Sequence, residues 1–87
     1  MFVILTYDVG NKRGVKVMKT VKKYLYPVQK SVYEGFLTEK QLRHMKAELR
    51  ECVDLEDDSV VLYKLPSEKL LEREKLWQTG YGEVDIL

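Results

Sequence analysis

The pattern of this 87-residue chain predicts an α+β fold of the ferredoxin-like kind, a βαββαβ sandwich with an extra C-terminal strand. Three observations carry that expectation. Short apolar runs rich in β-branched and aromatic residues open the chain and recur at 28–37 and 59–65. Two stretches between them repeat their apolar residues at three- and four-residue steps, the spacing of amphipathic helices. No repeat, linker or low-complexity segment interrupts the order, so residues 1–87 make a single domain whose sheet has one face covered by two helices.

The first strand is Phe2-Val3-Ile4-Leu5-Thr6-Tyr7-Asp8-Val9, apolar enough to be buried on both faces. Alternation puts Phe2, Ile4, Thr6 and Asp8 on one face, and Val3, Leu5, Tyr7 and Val9 on the other. Asp8 then ends a rigid strand on a face shared with core residues, a position suited to a metal ion or a general base. An equally good reading makes Asp8 a cap for the turn at Gly10 and Asn11.

Asn11 reads as the N-cap of a helix from about Lys12 to about Leu25 with Val15, Met18, Val21 and Leu25 as its apolar stripe. Tyr26-Pro27 ends it. Residues 28–37 are long for one strand, and Gly35 is the expected bend dividing them. Thr38 with Gln41 forms a capping box that starts a second helix, with Leu42, Met45, Leu49 and Val53 inward and His44 exposed or at the rim. Asp54-Leu55-Glu56-Asp57-Asp58 is an acidic connector, read as a solvated loop because it lacks calcium-loop spacing. Ser59–Leu65 is a strand stopped by Pro66. Residues 67–77 fit either a helix or an edge strand, Gly80 and Gly82 mark a turn, and 83–87 alternate like a final strand. That short tail, residues 80–87, has little core of its own to join, so it is expected to pair with the other subunit.

The formal net charge of +1 conceals a strong asymmetry. No acid lies between Asp8 and Glu34, while Lys12, Arg13, Lys16, Lys19, Lys22, Lys23 and Lys30 stand there. Lys12, Lys16, Lys19 and Lys23 share one helical face and repel one another, a repulsion that a phosphate backbone would relieve. Lys12, Arg13, Lys16, Lys19 and Lys23 are therefore the candidate nucleic-acid-binding residues. From Glu51 onward the charge is −6. No apolar run is long enough to span a membrane, the N-terminus lacks a basic region before its apolar stretch, and Cys52 has no second cysteine to pair with. These features point to a cytoplasmic protein with no membrane partner, and Cys52 reads as a small core residue. A chain this short buries only roughly 60–65% of its unfolded surface, which favours help from a second copy.

Tyr7-Asp8-Val9, Lys16-Val17 and Gln29-Lys30-Ser31-Val32-Tyr33-Glu34-Gly35, with the Ser59–Leu65 strand and Glu72-Arg73-Glu74 behind them, resemble the CRISPR-associated protein two family across nearly the whole chain. The resemblance implies a ferredoxin-like homodimer with Mg²⁺, or alternatively Mn²⁺, held by Asp8. It places Tyr7 and Ser31 with Asp8 near the active site, and it implies metal-dependent cleavage of RNA or DNA during spacer acquisition beside the partner integrase, CRISPR-associated protein one. Tyr33 stands where phenylalanine is usual, and Pro27 where many members carry a basic residue. One protomer offers one carboxylate, so two Asp8 side chains meeting across a two-fold axis would complete the ion's surroundings. The competing readings are a DNA-binding scaffold of the capture complex without catalysis and a related toxin-type mRNA endoribonuclease. A fourth, a small-molecule-sensing regulatory domain, is disfavoured by the basic segment from Lys12 to Lys30.

Overall fold

A computed structural model describes residues 1–77. Its elements are β1 (Phe2–Asp8), α1 (Asn11–Val21), β2 (Tyr26–Gln29), β3 (Val32–Phe36), α2 (Glu39–Arg50) and β4 (Ser59–Leu65), followed by one 3₁₀ turn at Glu68–Leu70. The four strands form one antiparallel sheet in the order β2-β3-β1-β4. The βαββαβ order and the two-helix layer agree with the fold class expected from the sequence.

The two helices cover one face of the sheet. Val3 and Leu5 of β1, Tyr33 of β3, Val17 and Val21 of α1 and Leu42, Met45 and Leu49 of α2 make the buried core. Tyr7, Val9 and Val53 pack against it. β1 was expected to be buried on both faces, and it is not. Phe2, Ile4, Thr6 and Asp8 lie on the helix-free face, in register with Phe36, Glu34 and Val32 of β3 and with Leu65, Tyr63, Val61 and Ser59 of β4. Phe2 is buried there, and the ring of Phe36 stands edge-on to it at 5.1 Å. Phe36, Val61, Tyr63 and, from β2, Tyr26 are exposed. Asp8 thus shares the open face rather than the core.

Several local expectations are corrected. Gly10, with φ −58° and ψ 147°, occupies the N-cap of α1, and Asn11 is its first helical residue. The helix ends at Val21, and the next three residues turn so that Leu25 still reaches the core. Tyr26-Pro27 belongs to β2, an outer strand where proline's missing N–H leaves no gap in the sheet. The break in residues 28–37 falls at Lys30-Ser31, not Gly35. Ser31 adopts φ 64°, the left-handed region that a tight reversal requires. Gly35 continues β3 opposite Val3, where a Cβ would meet Leu25 Cδ2 at 3.1 Å, so it serves close packing and not a bend.

The capping box is present as read: Gln41 N donates to Thr38 Oγ1 at 3.1 Å, and Thr38 N donates to Gln41 Oε1 at 2.9 Å. His44 is exposed. Beyond the turn at Glu68–Leu70, residues 71–77 are neither helix nor strand, and Arg73 forms an ion pair with Glu34 of the open face. The tail at 80–87, with the strand expected there, lies outside the described residues. Among the described residues no helix is long and apolar enough to cross a membrane.

Candidate functional site

Asp8 is the last residue of β1 and is exposed. Pairing with β3 stops two residues earlier, at Thr6 opposite Val32. Tyr7 N then donates to Ser31 O at 3.1 Å, which seats the β2–β3 turn beside the end of β1. Across β1, Asp8 is in register with Ser59. The strand tip, the first two turns of α1 and the β2–β3 turn enclose an open groove of about 350 Å³. Its walls include Tyr7, Asp8, Asn11, Val15, Lys30 and Ser31. The three residues singled out for chemistry, Asp8, Tyr7 and Ser31, therefore meet in one groove although Ser31 lies far from the others in sequence.

They meet on different terms. Tyr7 belongs to the helix-facing side of β1, half-buried, with its ring stacked on Tyr33 at 6.1 Å between centroids. Ser31 is held by the hairpin backbone, and Asp8 by the sheet. No three His, Cys, Asp or Glu side chains among the described residues are grouped to hold a metal ion. A single exposed carboxylate still fits Mg²⁺, which commonly takes one or two carboxylates and fills its remaining positions with water or phosphate oxygens.

The basic candidates lie elsewhere. Lys12, Lys16 and Lys19 run along the exposed side of α1 and Lys23 lies in the turn after it, and none lines the groove. Lys23 is held by Glu48 at 2.7 Å, and Glu48 also accepts from Tyr24 at 2.6 Å. Those two hydrogen bonds lower the Glu48 carboxyl below its ordinary range and raise the Lys23 ammonium and the Tyr24 phenol. Arg13 is bound to Asp58, through Nε at 2.5 Å and Nη2 at 2.9 Å. The cation that reaches the groove is Lys30, which the sequence reading counted in the basic run but did not place at the site.

Asp58 was also missed, having been read as part of a solvated loop. Its side chain is only 1% exposed. Besides Arg13 it accepts from Gly10 N at 3.1 Å and Asp54 N at 2.8 Å. The signal was available: one arginine among lysines in the first turn of α1, and one acid directly preceding a strand.

The amino-acid sequence matches the family of CRISPR-associated protein Cas2 over residues 1–73. A Moorella thermoacetica protein named CRISPR-associated endoribonuclease Cas2 2 is 44% identical over 82 residues, covering 87% of this chain and 90% of its own. The chain belongs to the CRISPR-associated Cas2 family. A Thermotoga maritima relative named CRISPR-associated endoribonuclease Cas2 is 41% identical over 76 residues, covering 87% of each chain. The fold matches too. A crystal structure described as cas2 superimposes with a TM-score of 0.83 at 34% identity, over 100% of this chain and 97% of that one. Streptococcus pyogenes Cas2 does so with 0.74 at 30% identity, over 85% and 99%.

The Asp58 network makes a pH prediction. The hydrogen bond from Arg13, then those from Asp54 N and Gly10 N, hold the Asp58 carboxyl far below the usual carboxylate range. The folded state thus favours the charged form, whereas an unfolded Asp titrates near about 3.9. Its contribution to stability is complete above that value and is lost as pH falls toward the folded one. In urea unfolding, the wild-type advantage over Asp58→Asn is expected to be full at pH 6 and to shrink steadily below about pH 4. A gap that stays constant to pH 2.5 would contradict this.

Proposed function

We propose that this chain is a divalent-metal-dependent endonuclease of CRISPR adaptation, cleaving phosphodiester bonds of RNA or DNA at Asp8, and that it works as a homodimer beside the partner integrase. One observation carries the reading: Asp8 stands exposed at the tip of a strand paired on both sides, in a groove it shares with Ser31 and Lys30. The endoribonuclease names of its relatives support the same chemistry.

In this reading Asp8 holds Mg²⁺ or Mn²⁺. When bound, such an ion makes a water a better nucleophile and offsets charge on a phosphate. Lys30 supplies a positive charge to the phosphate, and Ser31 a hydroxyl that can donate to it. Val15, half-exposed on the groove wall, offers an apolar surface to a sugar or base. Tyr7, packed on Tyr33, fixes the wall behind Asp8. No histidine lines the groove, and Asp8 is the one carboxylate among its lining residues. The exposed lysines of α1 grip the nucleic-acid backbone without reading its sequence.

Two features of the described residues favour the dimer. The helix-free face exposes Tyr26, Phe36, Val61 and Tyr63, and β4 is an outer strand beside an apolar groove lined by Leu5, Met45, Leu49, Val53, Val60 and Leu62. Joining two copies through the open faces would bring their Asp8 residues toward one axis, and the tail at 80–87 would extend the sheet of the other copy. A second reading, a DNA-binding scaffold without catalysis, is favoured by the position of Lys12, Lys16 and Lys19 outside the groove. Grip and cleavage are separable in this architecture.

The expected result for Asp8→Asn is loss of metal-dependent cleavage, with nucleic-acid affinity and its salt dependence unchanged. On duplex DNA the log–log salt slope should stay near about −0.9 per phosphate neutralised. Undiminished cleavage by the variant would remove Asp8 from the chemistry, and a wild type with no cleavage under Mg²⁺ or Mn²⁺ would favour the scaffold. For the dimer, deleting residues 84–87 is expected to weaken association, read by sedimentation at micromolar concentration. An equally stable dimer would exclude exchange of the tail.

A further inference from the structure

We infer that Asp58 is a positioning residue for Asp8, clamping with Arg13 the turn that follows the β1 tip so that the carboxylate is presented in one orientation. The inference rests on the nuclease reading of Asp8 and adds to it a part of the machinery outside the groove. Four observations carry it. Asp58 immediately precedes Ser59, the residue in register with Asp8, so its backbone is already tied to the strand tip. Its carboxylate accepts from Gly10 N, two residues beyond Asp8, and from Arg13 in the first turn of α1. It also accepts from Asp54 N, which anchors the clamp in the α2–β4 loop. Finally, a Cβ on Gly10 would come within 2.7 Å of Arg13 Nη2, so glycine is what allows the guanidinium to lie against this turn.

The chemistry selects these residue types. A carboxylate takes several donors at once, and a guanidinium reaches it through two parallel N–H groups, which fixes an angle as well as a distance. A buried, fully engaged Asp58 next to an exposed Asp8 divides the work between orientation and ligand contact. The arrangement also explains why Arg13, alone among the basic residues of α1, is an arginine. It serves the turn, not the phosphate.

The test compares Asp58→Asn, Arg13→Gln, Arg13→Lys and the double variant Asp58→Asn/Arg13→Gln with wild type, at a temperature where circular dichroism shows each folded. Positioning predicts a kcat lowered about tenfold in each single Asn or Gln variant, with KM for the nucleic acid and the salt slope unchanged. The double variant should lose no more than either single, since both break one clamp. Arg13→Lys, which keeps the charge but loses the fork, should recover only part of the rate. A second readout needs no turnover: Mg²⁺ titrated against the Asp8 amide resonance should saturate at severalfold higher concentration in Asp58→Asn. A raised KM with a shallower salt slope in the Arg13 variants would make Arg13 a phosphate ligand and overturn the inference, as would unchanged kcat and unchanged Mg²⁺ saturation. If wild type cleaves nothing, the nuclease reading fails, and the titration alone decides: weakened saturation in Asp58→Asn upholds the clamp, and identical curves reject it.

Discussion

The pairing of β1 with a neighbour on each side is the constraint from which the rest of this molecule follows. β4 pairs with the strand from Phe2 to Asp8 and β3 from Phe2 to Thr6, so its side chains alternate between two environments with no freedom to slip. Val3, Leu5 and Tyr7 point into the layer made by α1 and α2, and Phe2, Ile4, Thr6 and Asp8 point the other way. A slip of one residue would bury Asp8 and expose Leu5, with a charge in the core and apolar surface in water, so the hydrophobic pattern itself fixes where the carboxylate stands.

Position alone does not make a site. The β1 tip is followed by Val9, which packs against the core, and then by Gly10 at the start of α1. Asp58 adds to that packing by bonding the backbone of Gly10 and of Asp54 and the side chain of Arg13 around its own buried carboxylate. On the opposite side, the hydrogen bond from Tyr7 to Ser31 O and the left-handed Ser31 bring the β2–β3 turn alongside. The groove is thus framed from three separate segments, each fixed by backbone hydrogen bonds, while Lys12, Lys16 and Lys19 of α1 stand exposed outside it.

Much of this was legible in the sequence. The period of two in 2–9 and 59–65, and the three- and four-residue steps in both helices, fixed element type and order, and Thr38-x-x-Gln41 marked the start of α2 to the residue. Asp8 could be placed at a strand end, and resemblance joined Ser31 to it. What the sequence hid was two-body. An apolar strand reads alike whether its second face meets a helix layer or stays open, so alternation alone does not tell the two apart. Gly35 looks like a bend in isolation, and only the side chain of Leu25 packed over it shows otherwise. Asp58 sits in a run of acids that composition assigns to solvent, and its burial depends on an arginine 45 residues away.

The central claim is that the ion-binding carboxylate is the one at the β1 tip, not one of the more numerous acids of the 54–58 loop. Paramagnetic Mn²⁺, titrated in substoichiometric amounts into ¹⁵N-labelled protein, tests this residue by residue. The account predicts that the amide resonances of Asp8, Val9 and Ser31 broaden first and together, while those of Leu55, Glu56 and Asp57 persist. Broadening centred on the 54–58 loop, with Asp8 and Ser31 unaffected, would contradict it.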